Sequence, residues 1–210
     1  MLSWLKKFFS TEENKVSDKK EQKPVSGATP ASPCSGSCAP KPATAVPTPS
    51  ALIDIFAPCD GVLVDQKDIP DPAFAEGHMG TGVGIEPKSG AFKVYMDGKL
   101  AVLYRTKHAY FISNEKSNVT TMLHIGINTV EIPEDKNVFS TTRSVDDLIS
   151  VGDDLCQVNL DEIKNEGKST ITPILVQLDG LEGRKVVYKR KAGETVKAGD
   201  LIMSVVSPQV

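Results

Sequence analysis

Beyond residue 50 the chain alternates short β-branched and aromatic runs with turns rich in Gly, Asp and Asn. That alternation predicts strands. Asp60-Gly61 opens into Val62-Leu63-Val64, and 37 residues later Val94-Tyr95-Met96 reaches Asp97-Gly98 before Lys99-Leu100. Further strands are predicted over 101–104, 108–112, 119–125, 155–158, 171–177 and 185–189. Helical signal is confined to 161–166, where Gly167 supplies the stop. A second repeat joins the first: Asp147-x-Ile149-x-x-Gly152-Asp153 returns as Glu194-x-Val196-x-x-Gly199-Asp200 at an offset of 47. Such self-similarity predicts one all-β domain over 51–210, a single-domain antiparallel barrel or sandwich of duplicated hairpin units.

The first fifty residues break the pattern. Residues 24–50 hold seven of the fourteen prolines and no aromatic side chain, so 11–50 is expected to be a disordered linker. Ahead of it, Met1, Leu2, Trp4, Leu5, Phe8 and Phe9 fall within an arc of about 160°, with Ser3, Lys6 and Lys7 opposite. Residues 1–10 thus read as an amphipathic segment, with 1–9 expected to make weak contact with an anionic membrane surface. No run of 18 apolar residues is present, so no membrane-spanning helix is predicted.

Charge divides along the same boundary. The formal net charge of −3 combines +3 in 1–50 with −6 in 51–210. An acidic body argues against nucleic-acid binding and suits a basic protein partner. Four cysteines, Cys34, Cys38, Cys59 and Cys156, are too sparse for a disulfide framework, and no signal-peptide pattern opens the chain. A cytoplasmic protein is expected, peripheral at the membrane through its tip. Cys34 and Cys38 lack a second ligand pair nearby and read as incidental to the linker.

The chain has three histidines. His78 reads as a surface residue. His108 opens one predicted strand and His124 closes the next, with the polar turn 113–118 between them. Centring that hairpin on residue 116 places His108 opposite His124, with Cβ atoms about 5 Å apart. Thr106 then lies on the same face. Such a pair is open to three uses. It can be structural. It can hold zinc, but two nitrogens leave the site at least one protein ligand short, so a partner would have to complete it. Or one imidazole attacks phosphorus while the other stabilises the transferring anion.

The segment His124-Ile125-Gly126-Ile127-Asn128-Thr129-Val130-Glu131 resembles the signature of the glucose-type IIA component of the phosphoenolpyruvate-dependent sugar phosphotransferase system. Matching pieces follow in order: Ala57-Pro-x-Asp-Gly61, Ile69-Pro-Asp-Pro-x-Phe74-Ala, Met79-Gly-x-Gly82, Thr106-x-His108-Ala109, Gly152-Asp153, Asn159-Leu-Asp-x-Ile163 and Ile171-Thr-Pro173. The resemblance implies a phosphocarrier, a phosphotransferase component that takes phosphoryl from the carrier HPr and passes it to a cysteine on the IIB domain of a IIBC sugar permease. It implies His124 as the phosphorylated residue, His108 as its phosphate-stabilising partner and Thr106 as their hydrogen-bonding neighbour. Asp71, Phe74, Met79, Tyr104, Met122, Asn128, Val130 and Glu131 align with the family's docking rim. No cofactor is required; zinc would enter only at a partner interface. Asn128 stands where the family usually has Asp, and Arg105 and Lys107 add positive charge around Thr106. A regulatory module of the same fold without transfer activity is the alternative, and a zinc hydrolase is disfavoured because no H-x-H pair occurs.

Overall fold

The computed structural model describes residues 51–181 and 183–207. The amphipathic segment, the linker, Cys34 and Cys38 lie outside the described residues. Fourteen strands and two short helices occur among those described: β1 (Ala51–Phe56), β2 (Gly61–Asp65), α1 (Pro72–Ala75), β3 (Thr81–Pro87), β4 (Ala91–Lys93), β5 (Gly98–Leu103), β6 (Ala109–Asn114), β7 (Val119–His124), β8 (Phe139–Ser140), β9 (Leu148–Ile149), β10 (Asp154–Val158), α2 (Leu160–Asn165), β11 (Thr172–Val176), β12 (Lys185–Tyr188), β13 (Thr195–Val196) and β14 (Leu201–Val206). All strand pairing is antiparallel, and the domain is a β-sandwich. An eight-stranded sheet runs β13-β2-β3-β11-β7-β6-β5-β9, accompanied by the three-stranded sheets β1-β14-β12 and β4-β10-β8. No described helix is long and apolar enough to cross a membrane.

The two sequence repeats are two halves of one structural repeat. The Asp60 carboxylate accepts from Ala198 N–H at 2.9 Å, and Asp97 accepts from Val151 N–H at 2.7 Å. Ala57 N–H donates to Asp200 O and Gly199 N–H to Ala57 O, while Val94 N–H donates to Asp153 O and Gly152 N–H to Val94 O. Gly152 and Gly199 have φ of 92° and 88°, a left-handed conformation that costs glycine little. The small sheets match as well. Ile55 pairs with Met203 and Phe56 with Leu201; Phe92 pairs with Cys156 and Lys93 with Asp154, with the register slipping at the same step. The halves meet through reciprocal bonds, Phe56 N–H to Tyr95 O (2.8 Å) and Lys93 N–H to Pro58 O (2.7 Å). In the large sheet, β13-β2-β3-β11 is the image of β9-β5-β6-β7, and β11 pairs with β7 at the centre. The fold is a duplicated unit closed by a pseudo-dyad.

Strand alternation distributes side chains to the two faces of this sheet. Ile112, Leu123 and Ile174 enter the main core, which also takes Phe92, Tyr95, Met96 and the free thiols Cys59 and Cys156. Phe111, Met122 and Leu175 occupy the opposite face, where they form a second apolar cluster with Ile69, Phe74 and Ile127. Gly82 pairs with Leu175 in the same row, and a Cβ there would lie 2.0 Å from the Ile174 carbonyl oxygen. The second cluster makes this face apolar, and the site is built upon it.

Because Asp60 and Asp97 make equivalent bonds at dyad-related turns, Asp60→Ala and Asp97→Ala should each lower the unfolding free energy by about 1 kcal/mol. Urea unfolding should give the two similar midpoints and an additive double variant. Markedly unequal losses would contradict the equivalence.

Candidate functional site

Strands β6 and β7 form the hairpin that the histidine spacing predicts, but its register is one residue off. The loop 115–118 has four residues, with Asn118 left-handed at φ 50°, so Asn114 pairs with Val119. Ala109 therefore stands opposite His124, and His108 does not. His108 instead closes the turn 105–108 that joins β5 to β6. Lys107 there has φ 58° and donates its N–H to Tyr104 O at 2.8 Å, while Tyr104 N–H donates to Ala109 O. The turn brings the His108 ring to that of His124. The two imidazoles meet edge-on, with ring centroids 4.8 Å apart, and Ile125 N–H donates to His108 O at 2.7 Å. The expected pair is present, reached through a turn.

Each imidazole has its Nδ1 engaged. Thr106 Oγ1 lies 2.5 Å from His108 Nδ1, and His124 Nδ1 lies 2.8 Å from Gly126 O. A carbonyl oxygen can only accept, so neutral His124 carries its proton on Nδ1 and its lone pair on Nε2. Phe74 lies 5.1 Å from the His124 ring, and Tyr104 lies 5.2 Å from that of His108. His108 is 3% exposed. Burial, assisted by the neighbouring His124, lowers its pKa to about 3. Burial also lowers that of His124, opposed by the bond to the Gly126 carbonyl and by the Asp71 carboxylate. Both rings are neutral at pH 7.

The other sequence-predicted residues surround this pair in distinct roles. Phe74, Met79 and Tyr104 pack into the second apolar cluster, with Met122 beneath them at 2% exposure. Met122 thus supports the face rather than presenting a surface. Asp71 caps α1 by accepting from Ala73 N–H at 2.8 Å. Val130 is 53% exposed, and the exposed Glu131 is paired with Lys168. Asn128 is exposed and left-handed at φ 58°, a conformation asparagine tolerates well. That gives its presence a backbone reason besides charge. Arg105 pairs with Glu134 at 3.0 Å. His78 is exposed beside Glu76, as expected. Gly126 and Thr129 in the loop after His124, and Thr172 of β11 bonded to that loop, were present in the matched motifs, but spacing alone assigns them no contacts. Among the described residues no group of three or more His, Cys, Asp or Glu is placed to hold a metal, so the histidine pair fits zinc only with ligands from elsewhere.

The profile of the family described as phosphoenolpyruvate-dependent sugar phosphotransferase system, EIIA 1, matches residues 53–180. The glucose-specific EIIA component of Staphylococcus aureus (strain COL) is 38% identical over 155 residues, covering 72% of this chain and 91% of that protein. The glucose-specific EIICBA component of Staphylococcus carnosus is 36% identical over 151 residues, covering 72% of this chain and 21% of that longer one. The solved glucose permease IIA from Mycoplasma capricolum has a TM-score of 0.64 at 33% identity, covering 72% of this chain and 94% of that one. The profile match and the likeness in sequence and fold agree: this chain belongs to the EIIA family of the phosphoenolpyruvate-dependent sugar phosphotransferase system.

Proposed function

We propose that the chain is a phosphocarrier in which Nε2 of His124 accepts a phosphoryl group from the phosphohistidine of HPr and passes it to a cysteine of the IIB domain of a glucose-type permease. The observation that carries this reading is the hydrogen bond from His124 Nδ1 to the Gly126 carbonyl, which leaves Nε2 as the lone-pair nitrogen beside a second neutral imidazole. In the accepting step that lone pair attacks phosphorus, and the P–N bond to the donor imidazole breaks, its electron pair going to the donor nitrogen. The His124 Nδ1–H stays in place. It becomes a stronger donor to Gly126 O as the ring takes on positive charge. With the Thr106 hydroxyl donating into His108 Nδ1, His108 Nε2–H donates to the phosphoryl oxygens. In the passing step the cysteine thiolate attacks phosphorus, and the P–N electron pair returns to His124 Nε2. The apolar face around Phe74, Met79 and Tyr104, with the Asp71 carboxylate close enough to act on His124, suits partners with an apolar patch ringed by cations. A EIICBA relative, whose name joins IIA to IIB and IIC, supports the IIB partner. The proposed place of work is the cytoplasm. A zinc ion at the histidine pair would need its remaining ligands from a partner, and no step is assigned to one.

The experiment separates the two transfers. His124→Gln should abolish acceptance from phospho-HPr. His108→Gln should still accept phosphate and lose most of the onward transfer to the IIB cysteine, because the missing donor leaves the transferring charge unstabilised. Retention of acceptance by His124→Gln would refute the assignment.

A neutral His108 is also a statement about stability. Between the unfolded imidazole value of about 6.5 and the folded value of about 3, the unfolded chain binds a proton that the native chain does not. His108 therefore contributes full stability above about pH 6.5, and loses it progressively as the pH falls toward 3. Relative to His108→Gln, the wild type should lose up to about 1.4 kcal/mol per pH unit between pH 6 and 4 in urea unfolding. Parallel curves for the two proteins would mean that His108 titrates normally in the fold.

A further inference from the structure

The peptide unit between Ile125 and Gly126 is held at both polar ends by threonine side chains. Thr129 Oγ1 donates to Ile125 O at 2.7 Å, and Gly126 N–H donates to Thr172 Oγ1 at 3.4 Å. Thr172 sends its own hydroxyl proton to Thr170 O at 3.0 Å, which leaves a lone pair for Gly126. The following peptide unit is held as firmly: Gly126 O accepts from His124, and Ile127 N–H donates to Ser169 O at 2.9 Å. Thr129 is 1% and Thr172 0% exposed. Their buried hydroxyls are thus committed to these bonds. Gly126 is left-handed at φ 71°, and a Cβ there would lie 2.5 Å from Thr129 Cγ2 and 2.8 Å from Ser169 O. The Thr129 methyl fills the space that a side chain at 126 would take.

We propose that Thr129 and Thr172 are positioning residues for phosphoryl transfer, clamping the Ile125–Gly126 peptide so that the Gly126 carbonyl holds His124 in its Nδ1–H tautomer and fixes the plane of its ring. This rests on the phosphocarrier reading and deepens it. Neither threonine touches the phosphoryl group. Each acts through the peptide that aims the carbonyl, and a swing of that carbonyl frees His124 to place its proton on Nε2, where the lone pair is needed.

Thr129→Val removes the hydroxyl and keeps the branched shape; Thr129→Ser keeps the hydroxyl. Histidine-ring ¹⁵N NMR on the full chain reads the tautomer, and acceptance from phospho-HPr reads transfer. The wild type should give a single Nδ1–H pattern for His124. Thr129→Val should give a mixture of tautomers and accept phosphate at least about tenfold more slowly. Thr129→Ser should restore both. Slower transfer by Thr129→Val with an unchanged ¹⁵N pattern, or a pattern that Ser does not restore, would overturn the proposal. Thr172→Val is read by the same two measurements and replaces Thr129→Val if that variant does not fold. Absence of phosphate on wild-type His124 would overturn the phosphocarrier reading, and the transfer role with it, whereas the ¹⁵N pattern reports on the clamp alone.

Discussion

The hydrogen bond from His124 Nδ1 to the Gly126 carbonyl is the interaction on which the site depends. A carbonyl has no proton to give, so the bond settles the tautomer without help from a carboxylate. Burial then keeps both imidazoles neutral at pH 7. Neutrality and tautomer together define a nucleophilic Nε2. Around that bond lie the left-handed Gly126, the threonine hydroxyls bonded to the peptide before it, and the turn that brings the His108 ring to that of His124.

The duplicated fold explains where the site is and why there is one. The pseudo-dyad maps the Ala109–His124 pair of β6 and β7 onto the Gly82–Leu175 pair of β3 and β11. One half therefore has an imidazole where the other has a buried leucine of the apolar cluster. Both positions point to the same face of the central sheet. The chemical half supplies His108, Thr106 and Tyr104, and the apolar half supplies Leu175, with Phe74 and Met79 packed over it. The scaffold is pseudo-symmetric, and the histidine pair occupies one side of it.

Much of this was legible in the sequence because it is written in local patterns. The Asp-Gly turns and the Gly-Asp repeats report backbone geometry directly, and the structure joins them into one repeating unit. The all-β class follows from strand-length apolar runs, and the helical turn over 161–166 from its glycine stop, while the Asn159 cap that starts the helix is seen only in the structure. The hairpin register was not legible, because the polar stretch 113–118 fits a four- or a five-residue loop equally well, and spacing does not reveal that Asn118 turns left-handed in the observed four-residue one. The burial of Met122 was likewise hidden, since alternation assigns it a face without saying that Phe74 and Met79 cover that face. The threonine clamp joins residues 43 apart, Thr129 and Thr172, and no spacing rule links them.

The central claim is that Nε2 of His124 carries the phosphoryl group. The most direct test is to incubate the full, ¹⁵N-labelled chain with phosphoenolpyruvate, the general kinase of the system and HPr, then locate the acid-labile phosphate by mass spectrometry and its nitrogen by ³¹P–¹⁵N NMR coupling. The account predicts one phosphate, on His124, coupled to Nε2, with Nδ1 still protonated. Phosphate on His108, coupling to Nδ1 of His124, or no phosphate at all would contradict it.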